Sequence, residues 1–306
     1  MEKINYPVEH ADFYKLHFDG FKKGRVCAWY VLPRNHSKNM PAILEFHGYN
    51  SRKGCLFNTL PWVLQGYAVL VMDIRGQLGE STDEMDYPLP NVPKANTWLL
   101  KGILDPFSYY YRYVYVDCVR ALDFLLSRKE IDKKNIIVWG TSQGGGLAMA
   151  LSGLCPDKIK TTIAHMPFLC DFQLGVKDSK EGVYQHIVNF LKAYPKCTKT
   201  VFNTLSYFDC LNFADKIKSR ILVTVGMKDP ICPPSSIFSA YKHIRGNKQL
   251  AVYNFLGHDF REFMADQTLF WVKNIPFESN RARLVYEYFG IKLKIDKKTL
   301  VFSQVG

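Results

Sequence analysis

Residues 140–146 read Gly140-Thr141-Ser142-Gln143-Gly144-Gly145-Gly146, and no other stretch of the chain constrains the fold as tightly. They follow an apolar run, Ile136-Ile137-Val138-Trp139, and open a segment of helix formers, Leu147-Ala148-Met149-Ala150-Leu151. A serine flanked by glycines at i−2 and i+2, between a strand and a helix, is the pattern of a sharp turn where the backbone passes close to its neighbours and leaves no room for a Cβ. The turn holds the serine hydroxyl up at the carboxyl end of the strand. The N–H of the next residue, Gln143, opens the helix and has no partner within it, so it can donate to an oxyanion. The plainer alternative is a glycine-rich turn without chemistry.

A serine hydroxyl needs a base to take its proton and an acid to orient that base. On a parallel sheet with this turn, the two follow the serine in the order acid, then histidine, each just past a strand end. Ile221–Val225 reads as a buried strand closed by Gly226 and followed by Met227-Lys228-Asp229. Leu250–Phe255 reads as another, followed by Leu256-Gly257-His258. Asp229 is therefore the expected acid and His258 the expected base. His165, at the end of a further apolar run, either lines the pocket or is a satisfied core histidine. His186 and His243 fall in polar helical stretches and read as solvated. Asp171, Asp209 and Asp215 read as caps or surface carboxylates, and Asp259 points elsewhere. A second oxyanion donor is expected in the loop after the strand Ala42–Phe46, at the N–H of Tyr49. His47 precedes the serine in the chain, so its expected part is to brace that loop beside Gly48.

The chain has 306 residues, 47% of them hydrophobic, and alternates strand-like with helix-like segments. That predicts an α/β fold: a mostly parallel central sheet with helices on both faces. A β-hairpin over 12–33 turns at Asp19-Gly20, strands follow at 42–46 and 67–72, and a helical piece lies near 59–65. Residues 80–108 read as loop, with Pro88, Pro90, Pro93 and Pro106. Helical spacing of Val114, Cys118, Ala121, Leu122 and Leu125 predicts a helix over 110–127, and Asp132–Asn135 reads as a turn. Helical pieces over 170–213 read as a lid or pocket wall. The expected catalytic domain is 1–275, with a basic extension over 276–306. In that extension Ile291–Ile295 and Thr299–Phe302 form a hairpin around Asp296-Lys297-Lys298, or a tail.

The net charge of +12 includes seven Lys or Arg against three acids over 273–306; the rest is diffuse, and no nucleic-acid motif accompanies it. Eight cysteines stand without C-x-x-C pairs or zinc-ligand spacing, which reads as reduced core thiols, with no metal and no cofactor expected. No stretch is apolar enough to span a bilayer, and residues 1–7 lack an apolar leader core, so the expected location is cytoplasmic.

Several blocks together resemble a known family. They are His47-Gly48-Tyr49-Asn50, Arg75-Gly76-Gln77, Gly102-Ile103-Leu104-Asp105, Tyr109-Tyr110-Tyr111-Arg112, the Gly140–Gly146 run, Leu205-Ser206-Tyr207-Phe208-Asp209 and Gly257-His258. The chain is similar through them to the acetyl xylan esterase and cephalosporin-C deacetylase group, the seventh carbohydrate-esterase family of the α/β-hydrolase superfamily. The serine motif is generic; Arg-Gly-Gln with Ser-Gln-Gly-Gly-Gly and the tyrosine run is specific. The resemblance implies removal of acetyl groups from small esters, among them acetylated xylo-oligosaccharides and cephalosporin-type acetyl esters. It also implies a closed hexamer; from composition and motifs no membrane or nucleic-acid partner is expected. It places Arg75 and Gln77, with His47 and Gly48, in support of the pocket and its loops. The chain departs from the family pattern at Leu78-Gly79-Glu80-Ser81. The leading expectation is a serine hydrolase acting on carboxylic esters through an acetyl-enzyme. The alternatives are a broad carboxylesterase or small serine peptidase with the same triad, and a non-catalytic binding protein on the same fold.

Overall fold

In the computed structural model, residues 1–34, 39–87, 97–296 and 299–305 are described. Their strands are β1 (Glu2–Ile4), β2 (Ala11–Asp19), β3 (Arg25–Pro33), β4 (Met40–Phe46), β5 (Ala68–Met72), β6 (Ile131–Thr141), β7 (Thr161–His165), β8 (Arg220–Gly226), β9 (Lys248–Tyr253), β10 (Ile291–Asp296) and β11 (Thr299–Gln304). All pair into one sheet in the order β1-β2-β3-β5-β4-β6-β7-β8-β9-β11-β10. From β5 through β11 the pairing is parallel; β1, β2 and β3 at one edge and β10 at the other run antiparallel to their neighbours. Strands covered on both faces bury their side chains at every position, as the wholly apolar β5 and the mixed β7, with Thr161, Thr162 and His165, both do.

The helices are α1 (Leu60–Val63), α2 (Tyr110–Ser127), α3 (Gln143–Leu154), α4 (Phe172–Asp178), α5 (Tyr184–Ala193), α6 (Thr198–Ser206), α7 (Pro234–His243), α8 (Glu262–Val272) and α9 (Asn280–Tyr288). Alternation along each strand divides the core in two. Leu44, Phe46 and Val138 point into the layer with α2, α3 and α7. Ile43, Ile137 and Leu222 point the other way, toward α1, α8 and α9. The pieces over 170–213 sit on the first of these faces, where α4 packs on α7 and α5 on the turn Trp98–Leu100.

The helix expected over 110–127 is α2, residue for residue. The turn expected at Asp132–Asn135 is instead a wide bulge inside β6. Met40 pairs with Ile131 while Ala42 pairs with Ile136, and Asp132 accepts the N–H of Lys134 across the excess. The helical piece near 59–65 splits into a 3₁₀ turn, Leu56–Thr59, and α1. In the expected loop over 80–108, Pro88, Pro90 and Pro93 lie outside the described residues, and Trp98–Leu100 is a 3₁₀ turn. Of the two forms open to the end of the chain, the hairpin is the one found. β10 pairs with β11, and β11 adds in parallel to β9 through Val301 opposite Val252. Phe302 is fully buried there, stacked on Tyr253 at 5.0 Å and edge-on to Tyr286 at 5.3 Å. Lys297 and Lys298 of the expected turn lie outside the described residues.

Candidate active site

The parallel strands deliver their following loops to one edge of the sheet, and the elbow lies at its middle. Ser142 has φ 57° and ψ −118°, a conformation that costs a non-glycine residue of the order of 1–3 kcal/mol. The surrounding backbone enforces it. The Ser142 N–H donates to the His165 carbonyl at 2.9 Å, and its carbonyl accepts the N–H of Phe168 and of Gly146. A Cβ on Gly140 would lie 2.5 Å from the Phe46 carbonyl oxygen, and one on Gly144 only 1.9 Å from it. The two glycines of the motif are thus the places where the helix start and the end of β4 touch.

His258 approaches Ser142 from the loop after β9. Its Nε2 lies 2.9 Å from the Ser142 Oγ and its Nδ1 lies 2.6 Å from Asp229 Oδ2. An ionised carboxylate only accepts, so Nδ1 carries the proton and the Nε2 lone pair is left for the serine hydroxyl. The other Asp229 oxygen accepts the N–H groups of Ile231 and Cys232 at 2.9 and 2.8 Å, which fixes the carboxylate's rotamer. The two loops also lock together: a Cβ on Gly226 would lie 2.3 Å from the Gly257 carbonyl oxygen. Cys232 is buried beside the Ser142 hydroxyl, and burial pushes its thiol well above the ordinary range.

On the other side of the elbow, His47 uses both ring nitrogens. Nε2 accepts the Ile74 N–H at 2.8 Å, so Nδ1 is the protonated one and donates to the Gly48 carbonyl at 2.8 Å. Burial lowers its pKa, and the ring ties the loop after β4 to the loop after β5. Tyr49 follows, its hydroxyl accepting the Leu99 N–H at 3.1 Å. The Gln143 side chain is fully buried, with Oε1 accepting from Gln77 Nε2 and from the Tyr111 hydroxyl, both at 2.9 Å. Gln77 Oε1 in turn accepts the Asn50 N–H at 2.8 Å, next to Tyr49. One glutamine thereby sets the spacing between the loop carrying Tyr49 and the helix start carrying Gln143.

Arg75 does not reach the pocket. It is 1% exposed, with Nε 2.6 Å and Nη2 3.0 Å from the two Asp117 oxygens, and its role is to clamp the loop after β5 to α2. Leu78-Gly79-Glu80-Ser81, the departure from the family pattern, closes around a second buried ion pair. Lys53 Nζ lies 2.5 Å from Asp73 and 2.8 Å from Glu80, and a Cβ on Gly79 would lie 2.1 Å from the Asp73 carboxyl carbon. Cys27 joins these two acids in a group with metal-ligand proximity, and Lys53 together with Lys15, which pairs with Glu80, already neutralises it. The other group of that kind among the described residues, Asp229, Cys232 and His258, contains the acid and base themselves.

His165 is a core histidine, not a pocket residue. It is fully buried, with Nε2 2.7 Å from the Thr268 hydroxyl, and burial lowers its pKa to about 3. His243 is exposed, whereas His186 is half-buried. Asp171 and Asp209 are caps as expected. Asp209 is buried rather than on the surface, accepts the N–H groups of Asp171, Phe172 and Leu211, and has its pKa raised to about 6 by burial. Sequence reasoning assigned no part to Tyr110, Tyr111, Asn50 or Asp117. The tyrosine run was visible as a block, but its partners are 32 or more residues away in the chain.

A mostly parallel sheet with helices on both faces and a strained serine between its β4- and β8-side loops defines an α/β-hydrolase. A family model described as acetyl xylan esterase matches residues 1–275, and the chain belongs to that family. Among solved structures, the acetyl xylan esterase from Paenibacillus sp. R4 is 38% identical and superimposes with a TM-score of 0.85 over 89% of this chain and 87% of that one. Acetyl xylan esterase 1 from Thermoanaerobacterium sp. JW/SL YS485 is 30% identical, with a TM-score of 0.83 over 90% of this chain and 86% of that one. Acetyl esterase Axe7A of Xylanibacter ruminicola is 30% identical over 247 residues, which are 80% of this chain and 55% of that protein. The chain thus spans about half the length of that curated relative. No helix among the described residues is long and apolar enough to cross a membrane.

Proposed function

We propose that this chain is a serine esterase that removes acetyl groups from small acetylated substrates through an acetyl-enzyme. The observation that carries the reading is the unbroken Ser142–His258–Asp229 chain of hydrogen bonds, at 2.9 and 2.6 Å, in a member of the acetyl xylan esterase family. Ser142 Oγ attacks the acetyl carbonyl carbon as its proton passes to His258 Nε2, and Asp229 stabilises the imidazolium through Nδ1–H. The carbonyl oxygen becomes an oxyanion and takes hydrogen bonds from the N–H groups of Tyr49 and Gln143, in sites of this kind worth about 3 kcal/mol each. Collapse breaks the bond to the alcohol oxygen, which leaves with the proton from His258. Water then repeats the sequence and releases acetate. His47, Gly48, Arg75 and Gln77 support the loops, and no metal or cofactor enters any step.

The substrate class rests on the family and on its named relatives: acetylated xylo-oligosaccharides first, cephalosporin-type acetyl esters second. A closed homo-oligomer belongs to the same reading, supported by the family resemblance. The test is hydrolysis of p-nitrophenyl acetate, butyrate and octanoate, then of acetylated xylobiose, by the wild type and Ser142→Ala. Strong acetate preference and a loss of about 10⁴-fold or more in the variant are expected. Equal turnover of octanoate would replace the deacetylase with a general esterase, and an active Ser142→Ala would remove Ser142 from its role.

A further inference from the structure

On the face of the sheet away from α2 and α3, a cavity of about 460 Å³ opens between α1 and α8. Glu45 of β4 and Trp139 of β6 form its floor, side by side because Glu45 is paired with Trp139 across the two strands. Trp62 and Phe260 wall it: Trp62 meets Trp139 at 6.3 Å, and Phe260 meets Trp139 at 6.3 Å on the other side. Leu64 and Phe260, 68% and 40% exposed, leave apolar surface open to solvent beside it. Asp266 of α8 adds a second carboxyl, and no Lys or Arg lines the space.

This is an unusual floor. Glu45 sits at a position where its strand neighbours on the same face, such as Ile43, are fully buried apolar residues. Among the described residues no arginine or lysine pairs with it. Glu45 is itself half-buried; the loss of hydration pushes its pKa up to about 7, outweighing the Trp139 indole beside it, which favours the ionised carboxyl. The indole N–H itself is buried and makes no well-formed hydrogen bond. A half-buried carboxyl that lines an aromatic cavity with no basic side chain leaves its charge open to a cation entering from solution.

We propose that this cavity is a binding site for a small organic ammonium ion with an apolar body, held by the Glu45 carboxylate and by the faces of Trp62, Trp139 and Phe260. A cation over aromatic faces gains from their quadrupoles, and more so when water is excluded. Pairing with the ammonium supplies the counter-charge that Glu45 lacks, and the aliphatic or aryl part fills the space toward Leu64 and Leu269. An anion would meet two carboxyls there and no basic side chain. In a chain of net charge +12 this acidic, aromatic pocket is a local inversion of the surface. The site is separate from the triad, although Trp139 lies three residues before Ser142 and Phe260 two after His258.

Calorimetric titration of the full chain with phenyltrimethylammonium, and with tert-butylbenzene as its neutral isostere, tests this. Saturable one-to-one binding is expected for the cation, with the neutral isostere weaker by about tenfold or more, the effect of one cation–π or ion-pair contribution. Glu45→Gln is expected to weaken the cation by a similar factor. Leu64→Arg places a cation at an exposed position of the rim and leaves the floor intact, so it keeps the test available if Glu45→Gln fails to fold; this variant should abolish binding. Because Leu64 lines this cavity and no member of the triad does, that loss also distinguishes this site from the ester pocket. Equal affinity for cation and isostere, or cation binding unchanged by Leu64→Arg, would overturn the proposal, as would the absence of saturation.

Discussion

The elbow at Ser142 and the hairpin at the end of the chain are parts of one sheet, and they are held by opposite means. Around Ser142 the contacts are backbone to backbone: helix start on strand end, glycine against carbonyl, with side chains such as Gln77 and His47 bridging loops. At the hairpin, beyond the strand pairing that joins it to β9, the packing is side chain on side chain: Ile291, Leu300 and Phe302 are buried, while Lys292, Lys294 and Ile295 face water. A backbone contact has no rotamer with which to yield. A side-chain contact has several, and the cost of changing it scales with the volume removed. The middle of the sheet is therefore intolerant of a single methyl group, whereas the edge tolerates most substitutions.

The largest effect is expected from Gly144→Ala. With 1.9 Å between the new Cβ and the Phe46 carbonyl oxygen, β4 and α3 must separate, and urea unfolding should show a loss of at least about 4 kcal/mol or no soluble protein. A near-normal midpoint would mean that the elbow yields more readily than the comparison states. At the hairpin, Phe302→Ala should cost about 3–4 kcal/mol through the lost ring and the cavity it leaves. The turnover number of the molecules that remain folded should not change; a drop there would link the hairpin to the site. Gln77→Leu strands the Asn50 N–H and the Gln143 amide, and kcat for p-nitrophenyl acetate should fall by about 10–100-fold with KM little altered, since oxyanion donors act in the transition state. An unchanged kcat would show that other contacts hold the two donors apart.

A smaller effect comes from beneath the elbow. Burial lowers the pKa of His165 from 6.5 to about 3, so the folded protein keeps this imidazole neutral while the unfolded chain takes up a proton. Stability from this group is complete above pH 6.5 and is lost as pH falls toward 3. Between pH 6.5 and pH 4.5 the loss should be about 2 kcal/mol, read as a shift in the urea midpoint. His165→Gln should be less stable at pH 7 but should lack that part of the slope; an identical slope would assign the acid limb to other groups. The smallest effect is expected for Lys292→Ala on the exposed face of β10, within about 0.5 kcal/mol, measured in the same way. A large loss would mean that this edge is covered by something more than water.

What could be read from residues alone follows the range of the interactions involved. The elbow was legible because its requirements are local: an apolar run, glycines at fixed offsets and a helix-forming segment lie within sixteen residues. Helix α2 was legible because its apolar side chains recur at a period that any helix must show. The bulge at Asp132–Asn135 looked like an ordinary turn, since polar residues signal a break in a strand without saying whether pairing resumes beyond it. The Arg75–Asp117 clamp and the Gln77–Gln143–Tyr111 bridge were not legible. Their members stand 42, 66 and 32 residues apart, and nothing in either segment announces the other.

By itself, then, the amino-acid order determined the class of fold, the serine turn, and the order of acid and histidine behind it. Those follow from hydrophobic period and from the steric demands of single residues, which act over a few positions. Tertiary structure alone decided that Arg75 would clamp its loop to Asp117 and Gln77 would bridge to Gln143, that His165 would be buried, and that the last thirty residues would extend the sheet. It also set an unpaired glutamate in an aromatic cavity on the far face. These outcomes depend on which atoms meet across strands and loops distant in the chain, and that is settled only when the sheet closes its register and two layers of helices pack against it.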